Sequence, residues 1–401
     1  MTYRFEVVAP SAIDTGFELA WAALEERALE PNPYLSPDFV LPTLAHLETQ
    51  ERVRLLVVRR RDAAGSLVAL GLFRISTGSR RLPLPHLHGF LGPHSFLGGL
   101  LLDRDHAEPA LHAFFDGLRA HAWRWQGLVL ERCWSDGPQA SLLCRLLEQR
   151  KWHHQGFDRM SRAMLQLPLD AQAHLARLSP SLRQNLRRGR RRLEEQGRVD
   201  WVVHRGPAGT AQVVDDFLAL EHMGWKGEAG TSLRADPRQE RFFRDMTARF
   251  ARRGRVLFTQ INLDGQPVAA TSNLVAGGMG FAFKVGWNPA FAKLSPGMLC
   301  EAEFLRQAGR DCPDLQLFDS GAVAGSYIDS LWPERRHTQT WAIATTAAAR
   351  VAMGMTQVLR ATRDIGRRGT EGLTGHPEPV VAKGCNLSHP RPLQPATMST
   401  Q

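Results

Sequence analysis

A chain of 401 residues, 43% hydrophobic and 22% charged, has the composition of a globular protein with room for two or three cores. Fifty Lys+Arg against 40 Asp+Glu give a formal charge of +10, which favours anionic partners: phosphorylated cofactors, nucleic acid or an acidic membrane surface. Five scattered cysteines without a CxxC pair argue against a disulfide framework or a zinc site. No run approaches the ~20 apolar residues that cross a bilayer, and MTYRFEVVAP is not a signal peptide, so a cytoplasmic location is expected.

Apolar periodicity predicts a short strand over Phe5–Ala9 and a helix over Ala12–Ala28. Ser36-Pro37 opens a second helix that runs to about Leu47. Arg52–Arg61 and Leu67–Ile75 read as a hairpin across Asp62–Ser66. Leu82–Gly99, rich in Pro, Gly and His, reads mainly as loop. Its His86, His88 and His94 have no carboxylate or Cys at ligand spacing, so no metal is expected there. A strand at Leu100–Leu102, a helix over His106–Trp123, a strand at Gly127–Glu131 and a helix over Pro138–Gln149 follow.

Between the halves lies SPSLRQNLRRGRRRLEEQG, Ser179–Gly197, with arginines at 183, 187, 188, 190, 191 and 192. With Leu182, Leu186 and Leu193 it fits a helix of one apolar edge and a basic remainder. Such a helix either faces water or clamps a phosphate, an RNA or a membrane. No aromatic residue interleaves with the arginines, which weighs against stacking on single strands. Val199–His204 is a strand, and Thr210–Met223 a helix ending in Glu221-His222-Met223-Gly224-Trp225-Lys226-Gly227. Pro237–Arg253 is a long helix.

Arg255–Gly321 carries most of the readable chemistry. Arg255–Leu263 and Pro267–Val275 flank Asp264-Gly265-Gln266, a strong hairpin signal. Met279–Trp287 forms a third strand, with Phe281, Phe283 and Val285 expected on one face. Ser295-Pro296-Gly297 then opens the helix Met298–Ala308, with Ser295 as its cap. A helix start beside a sheet offers free N–H groups to a pyrophosphate, and Gly297 leaves room for one. Leu315–Phe318 is a fourth strand. Hairpin, strand, helix, strand occurs in both halves, which suggests a duplicated module. Gln339–Ile343 adds a strand and Ala347–Ile365 an Ala-rich helix; beyond Gly366 the composition predicts disorder.

The ordered pieces NPYLSPDF, SLRQNLRRGRRRLEEQG, LALEHMGWKGEAGTSL, RGRVLFTQINLDGQPVAATSNL and SPGMLCEAEF…LFDSG resemble the BioF-like and cellulose-biosynthesis CelD-type acyltransferases of the GNAT superfamily, themselves similar to FemAB-like transferases. The resemblance covers roughly residues 5–345. It implies an α/β (α+β) fold of two tandem GNAT-like domains, each a mixed, mainly antiparallel sheet flanked by helices. Residues 1–170 and 199–345 would be the domains, 171–198 a basic helical linker and 346–401 a tail. It also implies acyl-CoA as donor and an amine on a small molecule, glycan or lipid as acceptor. An aminoacyl-tRNA donor, as in Fem-type enzymes, and a non-catalytic anion-binding role are the alternatives.

Amide formation from a thioester needs a proton acceptor beside the amine. Asp319 after the fourth strand and Glu221 at the helix end are the candidates, with His222 third; Cys300 has no partners at the spacing of a thiol nucleophile. Ser295, Pro296, Gly297 and Met298 are the expected CoA contacts, and Trp225, Lys226, Tyr327, Arg187 and Arg188 the expected substrate contacts. The chain departs from its relatives twice. It lacks the Gln/Arg-x-x-Gly-x-Gly/Ala pyrophosphate loop, and it has Tyr327-Ile328 where many carry Tyr-Lys.

Overall fold

The computed structural model describes residues 2–62 and 65–356, position 225 by its backbone alone. Residues 355–401 fall in a separate unit from 1–354, so the Ala-rich helix is followed only over 347–354. The expectation for the tail beyond Gly366 lies outside the described residues. The N-terminal half comprises β1 (Tyr3–Val8), α1 (Thr15–Glu26), α2 (Pro37–His46), β2 (Val53–Arg60), β3 (Leu67–Ser76), β4 (His86–Gly89), β5 (Leu101–Leu102), α3 (Ala107–Ala120), β6 (Gly127–Trp134), α4 (Pro138–Gln149) and β7 (His154–Gln166). The C-terminal half comprises α5 (Ala171–Arg177), α6 (Pro180–Glu194), β8 (Val199–His204), α7 (Thr210–Met223), α8 (Trp225–Glu228), α9 (Pro237–Arg252), β9 (Val256–Leu263), β10 (Gln266–Ala276), β11 (Met279–Trp287), α10 (Pro296–Asp311), β12 (Leu317–Asp319) and β13 (Glu334–Ala344).

The strands form one mixed sheet in the order β1-β2-β3-β4-β6-β13-β7-β12-β11-β10-β9-β8, with β5 attached to β3. Read from its two ends, this order repeats. Each half contributes an antiparallel meander and then a parallel pair, β4 with β6 and β11 with β12. Each parallel pair is joined through a helix, α3 or α10, as a parallel connection requires. The duplicated module is therefore visible in the sheet. One assignment changes: the first-half counterpart of β11 is β4, inside the Leu82–Gly99 segment read as loop. Leu101–Leu102 is only a two-residue side strand. The halves also exchange strands, because β7 of the first pairs with β12 of the second, and β13 of the second lies between β6 and β7.

Both faces of the sheet are covered, so buried residues alternate between cores. Leu56 and Val58 join one core, and Leu55 and Val57 the other. In the second half, α7 and α9 cover one face with Phe217, Phe242, Phe243, Met246 and Phe250. On the opposite face, α6 and α10 contribute Leu186, Leu193, Leu299, Phe304 and Leu305. Each such side chain contributes roughly 1.5–3 kcal/mol by burial. NPYLSPDF works at the seam between halves. Asn32 accepts from Tyr34 N–H (3.0 Å) and Ser36 from Asp38 N–H (3.2 Å), which fixes the chain entering α2. Tyr34 and Phe39 then pack edge-on against Phe281 and Phe242 of the second half.

Candidate active site

The site grows from a fork in the sheet. β12 pairs with β11 only over Met279–Phe281 and ends at Asp319, whereas β11 runs on to Trp287. A bulge opens the strand further. Ser272 faces Lys284 and Asn273 faces Ala282, so Phe283 is the extra residue without a partner on β10. The bulge breaks the expected period of two. Phe281 and Phe283 enter the α7/α9 core, but Val285 turns to the other face, beside Gly297. Gly321, at φ +62°, carries the chain away from β12; a Cβ there would lie 3.0 Å from the Ala282 carbonyl.

Asp319 sits at the base of the fork and is 1% exposed. One oxygen accepts from Arg162 Nη1 at 3.0 Å, the other from Gly321 N–H at 2.9 Å. Arg162 is itself buried, donates to the Phe96 carbonyl and lies 5.6 Å over the Trp134 ring. Glu221 is similarly committed: Lys226 Nζ donates to one oxygen (3.2 Å) and Leu233 N–H to the other (2.8 Å). His222 bonds to Ser232 Oγ through Nδ1 at 2.8 Å. Tyr327 begins a short 3-10 turn beyond the fork. The side chain of Trp225 lies outside the described residues. The thiol of Cys300 is pushed up by burial and packs against Thr259.

Helix α10 starts at Pro296 as its sequence indicates, but Ser295 does not cap it. Ser295 takes left-handed angles (φ 54°, ψ 57°) and its side chain makes no cap bond. The amides of Gly297 and Met298 meet no acceptor among the described residues, as expected of a first helical turn. Helix α6 crosses against this end at Gly189, where a Cβ would come within 2.9 Å of the Leu294 carbonyl. The close approach encloses a cavity of about 240 Å³ lined by Arg188, Arg192, Lys293, Ser295 and Met298. Arg192 has no ion pair among the described residues, and Arg188 bonds to Asn185 of its own helix. Arg187 faces a separate outer groove with Arg183, Arg188 and Arg191. The structure thus brings Ser295, Met298 and Arg188 together, and sets Asp319, Glu221 and Lys226 around the fork.

Four positions escaped the sequence reading. Gly189 had a signal, being the one glycine in an arginine-rich helix, and Arg192 and Lys293 matter only through the packing it permits. Glu301 had none. It is 7% exposed, has no hydrogen bond or ion pair among the described residues, and acts electrostatically on Tyr327 and Cys300. Burial alone raises its carboxyl to about 7. Its neighbour Glu303 is held by Arg190, Arg306 and Gln307. Among the described residues no His/Cys/Asp/Glu group could hold a metal, and no helix is long and apolar enough to cross a membrane.

Residues 180–328 match the family described as acetyltransferase (GNAT) domain. No curated protein matches the sequence significantly. Among solved structures, FemX is similar over 84% of this chain and 96% of its own, at 10% identity and a TM-score of 0.54. A conserved protein of unknown function from Bacteroides thetaiotaomicron VPI-5482 is similar over 86% and 100%, at 11% identity and a TM-score of 0.52. A tandem GNAT protein from the clavulanic acid biosynthesis pathway covers 86% and 99%, at 15% identity and a TM-score of 0.41. At such identities the likeness to FemX and to the Bacteroides protein is one of fold.

Proposed function

Residues 180–328 match the GNAT acetyltransferase domain family, and from that match we propose that the protein transfers an acyl group from acyl-CoA to an amine of a small-molecule, glycan or lipid-linked acceptor. The observation that carries this reading is the cavity where Arg188, Arg192 and Lys293 surround the free end of α10. Three cations, two unpaired amides and the positive end of a helix suit a pyrophosphate. From there the fork between β11 and β12 gives a thioester arm a route into the sheet. The bulge at Phe283 offers backbone groups outside the ladder to a developing oxyanion.

The amine must lose a proton as it attacks, and we assign that proton to Glu301. A carboxyl titrating near 7 matches general-base work at neutral pH. Asp319 and Glu221 would first have to release Arg162 or Lys226; in this reading they brace the fork. Gly297→Glu tests the seat. A Cβ at 297 makes only ordinary contacts, 3.7 Å from Trp287 and Val285, so the variant is expected to fold. The added carboxylate puts a negative charge in the first turn of α10, between the cavity residues Ser295 and Met298, and should abolish calorimetric CoA binding. Parent-like affinity would place the pyrophosphate elsewhere.

The outer groove of Arg183, Arg187, Arg188 and Arg191 favours a second reading, an aminoacyl-tRNA donor. Replacing Arg187, Arg188 and Arg191 with Ala and titrating acyl-CoA, tRNA and anionic vesicles at two salt levels separates the readings. For an acyl-CoA enzyme we expect weaker CoA binding through Arg188 and no tRNA binding in either protein. A steep, salt-dependent tRNA affinity lost in the triple variant would transfer the assignment to tRNA.

A further inference from the structure

On the face of β11 that packs against α7 and α9, three basic groups gather with one carboxylate among them. Lys226 Nζ donates to Glu221 (3.2 Å) and to the Val285 carbonyl (3.0 Å). The second Glu221 oxygen is taken by Leu233 N–H, so Glu221 has nothing left for another cation. The ammonium of Lys284, three residues past the last β11 position paired with β12, has no hydrogen bond or ion pair among the described residues. It lies 5.6 Å from the Phe283 ring centroid. Burial, then repulsion from Lys226, lowers its pKa to about 8 against the pull of Glu221. His94, from the first half, stacks on Phe242 (5.4 Å) and meets Phe283 edge-on (6.2 Å). Its Nε2 is buried with no hydrogen-bond partner among the described residues. Burial, then the charge of Lys284, lowers its pKa to about 3 against the opposing effect of a hydrogen bond between the ring and the Gln239 side chain, so the ring is neutral.

Two ammonium groups, one carboxylate and a neutral imidazole leave one positive charge. An ammonium without a counter-charge in such surroundings is costly. A monoanion restores balance and supplies an acceptor for Lys284; a phosphate dianion would overshoot by one charge. We propose that Lys284, Lys226 and His94 seat a carboxylate of the acyl acceptor, so that the substrate class is an amine that also carries a carboxylate. This rests on the acyl-transfer reading for the word acceptor: the seat lies just past the fork, where an amine must meet the thioester.

The probe is N-acetylglycine, a small carboxylate already acylated, compared with its uncharged amide at equal ionic strength. The full chain should gain thermal stability with the acid and none with the amide. Lys284→Met and Lys284→Gln should lose that gain, Lys284→Arg should keep part of it, and calorimetric CoA binding should be unchanged in all three. Equal responses to acid and amide, or a parent-like response in Lys284→Met, would overturn the seat. A second measurement needs no ligand. A Lys whose pKa is lowered destabilises the fold while charged, and the penalty fades as pH rises from about 8 to its ordinary 10.5. Lys284→Met should therefore raise the melting midpoint below pH 8, with the gap closing above it; a lowered midpoint at pH 7 would mean that Lys284 already has a partner and no seat exists. Loss of CoA binding in the parent with the carboxylate effect intact would instead remove the acyl-CoA reading and leave the seat standing.

Discussion

Replacing Arg162 with Met is expected to cost about 3–5 kcal/mol of folding stability. Arg162 and Asp319 are 3% and 1% exposed and meet at 3.0 Å. The truncation leaves a carboxylate under the fork with only the Gly321 amide, and it frees the Phe96 carbonyl as well. Asp319→Asn is expected to cost less, since an amide oxygen still accepts from Arg162. The double change Arg162→Met with Asp319→Leu should recover much of the loss, because two apolar residues need no counter-charge. Urea unfolding of the four proteins checks this. A single-variant loss below about 1 kcal/mol would show that the pair does not hold β7 to β12, and Asp319 would then be free to act as a base.

Glu301→Gln is expected to slow acyl transfer by roughly 10²-fold or more while retaining CoA binding. The same change should stabilise the protein, in a pH-dependent way. The Glu301 carboxyl is raised from 4.5 to about 7 by burial. A raised acid stabilises the fold fully below its unfolded pKa and loses that contribution as pH climbs through the folded one. From pH 4.5 to 7 the loss is roughly 3 kcal/mol, at about 1.4 kcal/mol per pH unit. Gln never ionises, so parent and variant should be similar near pH 4.5 and diverge to favour the variant by about 2–3 kcal/mol at pH 8. Melting curves across that range decide it. A constant offset would mean that Glu301 is ionised throughout, and unaltered turnover would remove it from the chemistry.

Which parts were legible in the chain follows from what each signal encodes. Turns and helix starts are local, so the Asp264-Gly265 hairpin, Ser36-Pro37 and the start at Pro296 were read correctly. Ser295 failed as a cap because its backbone conformation is set by the preceding 3-10 turn, Pro289–Leu294, not by the Ser-Pro pair. β4 was missed because four residues, HLHG, flanked by prolines and glycines carry too little pattern, and of their two partners only β3 is near in the chain, β6 lying about forty residues away. The bulge at Phe283 left no mark in a run that alternates well. Glu301 in CEAEF reads as the polar side of an amphipathic helix, yet α10 lies under α6 and has no wet side at that turn. The lysine pair was half legible: Lys226 stood in a recognisable piece, whereas Lys284 joins it only once the sheet is folded.

The interlacing of β7 and β13 constrains how this chain can be inherited. A segment limited to residues 180–328, the part that matches the GNAT family, would leave behind Met164–Gln166, the neighbours of β12, together with Arg162. Its sheet would end in a bare edge, open to pairing with any passing strand, and Asp319 would lose its counter-ion. Recombination can therefore move the two halves as a clasped pair, but a cut between them yields two incomplete pieces. Sequence drift in one half stays tied to the other through the strand each has lent.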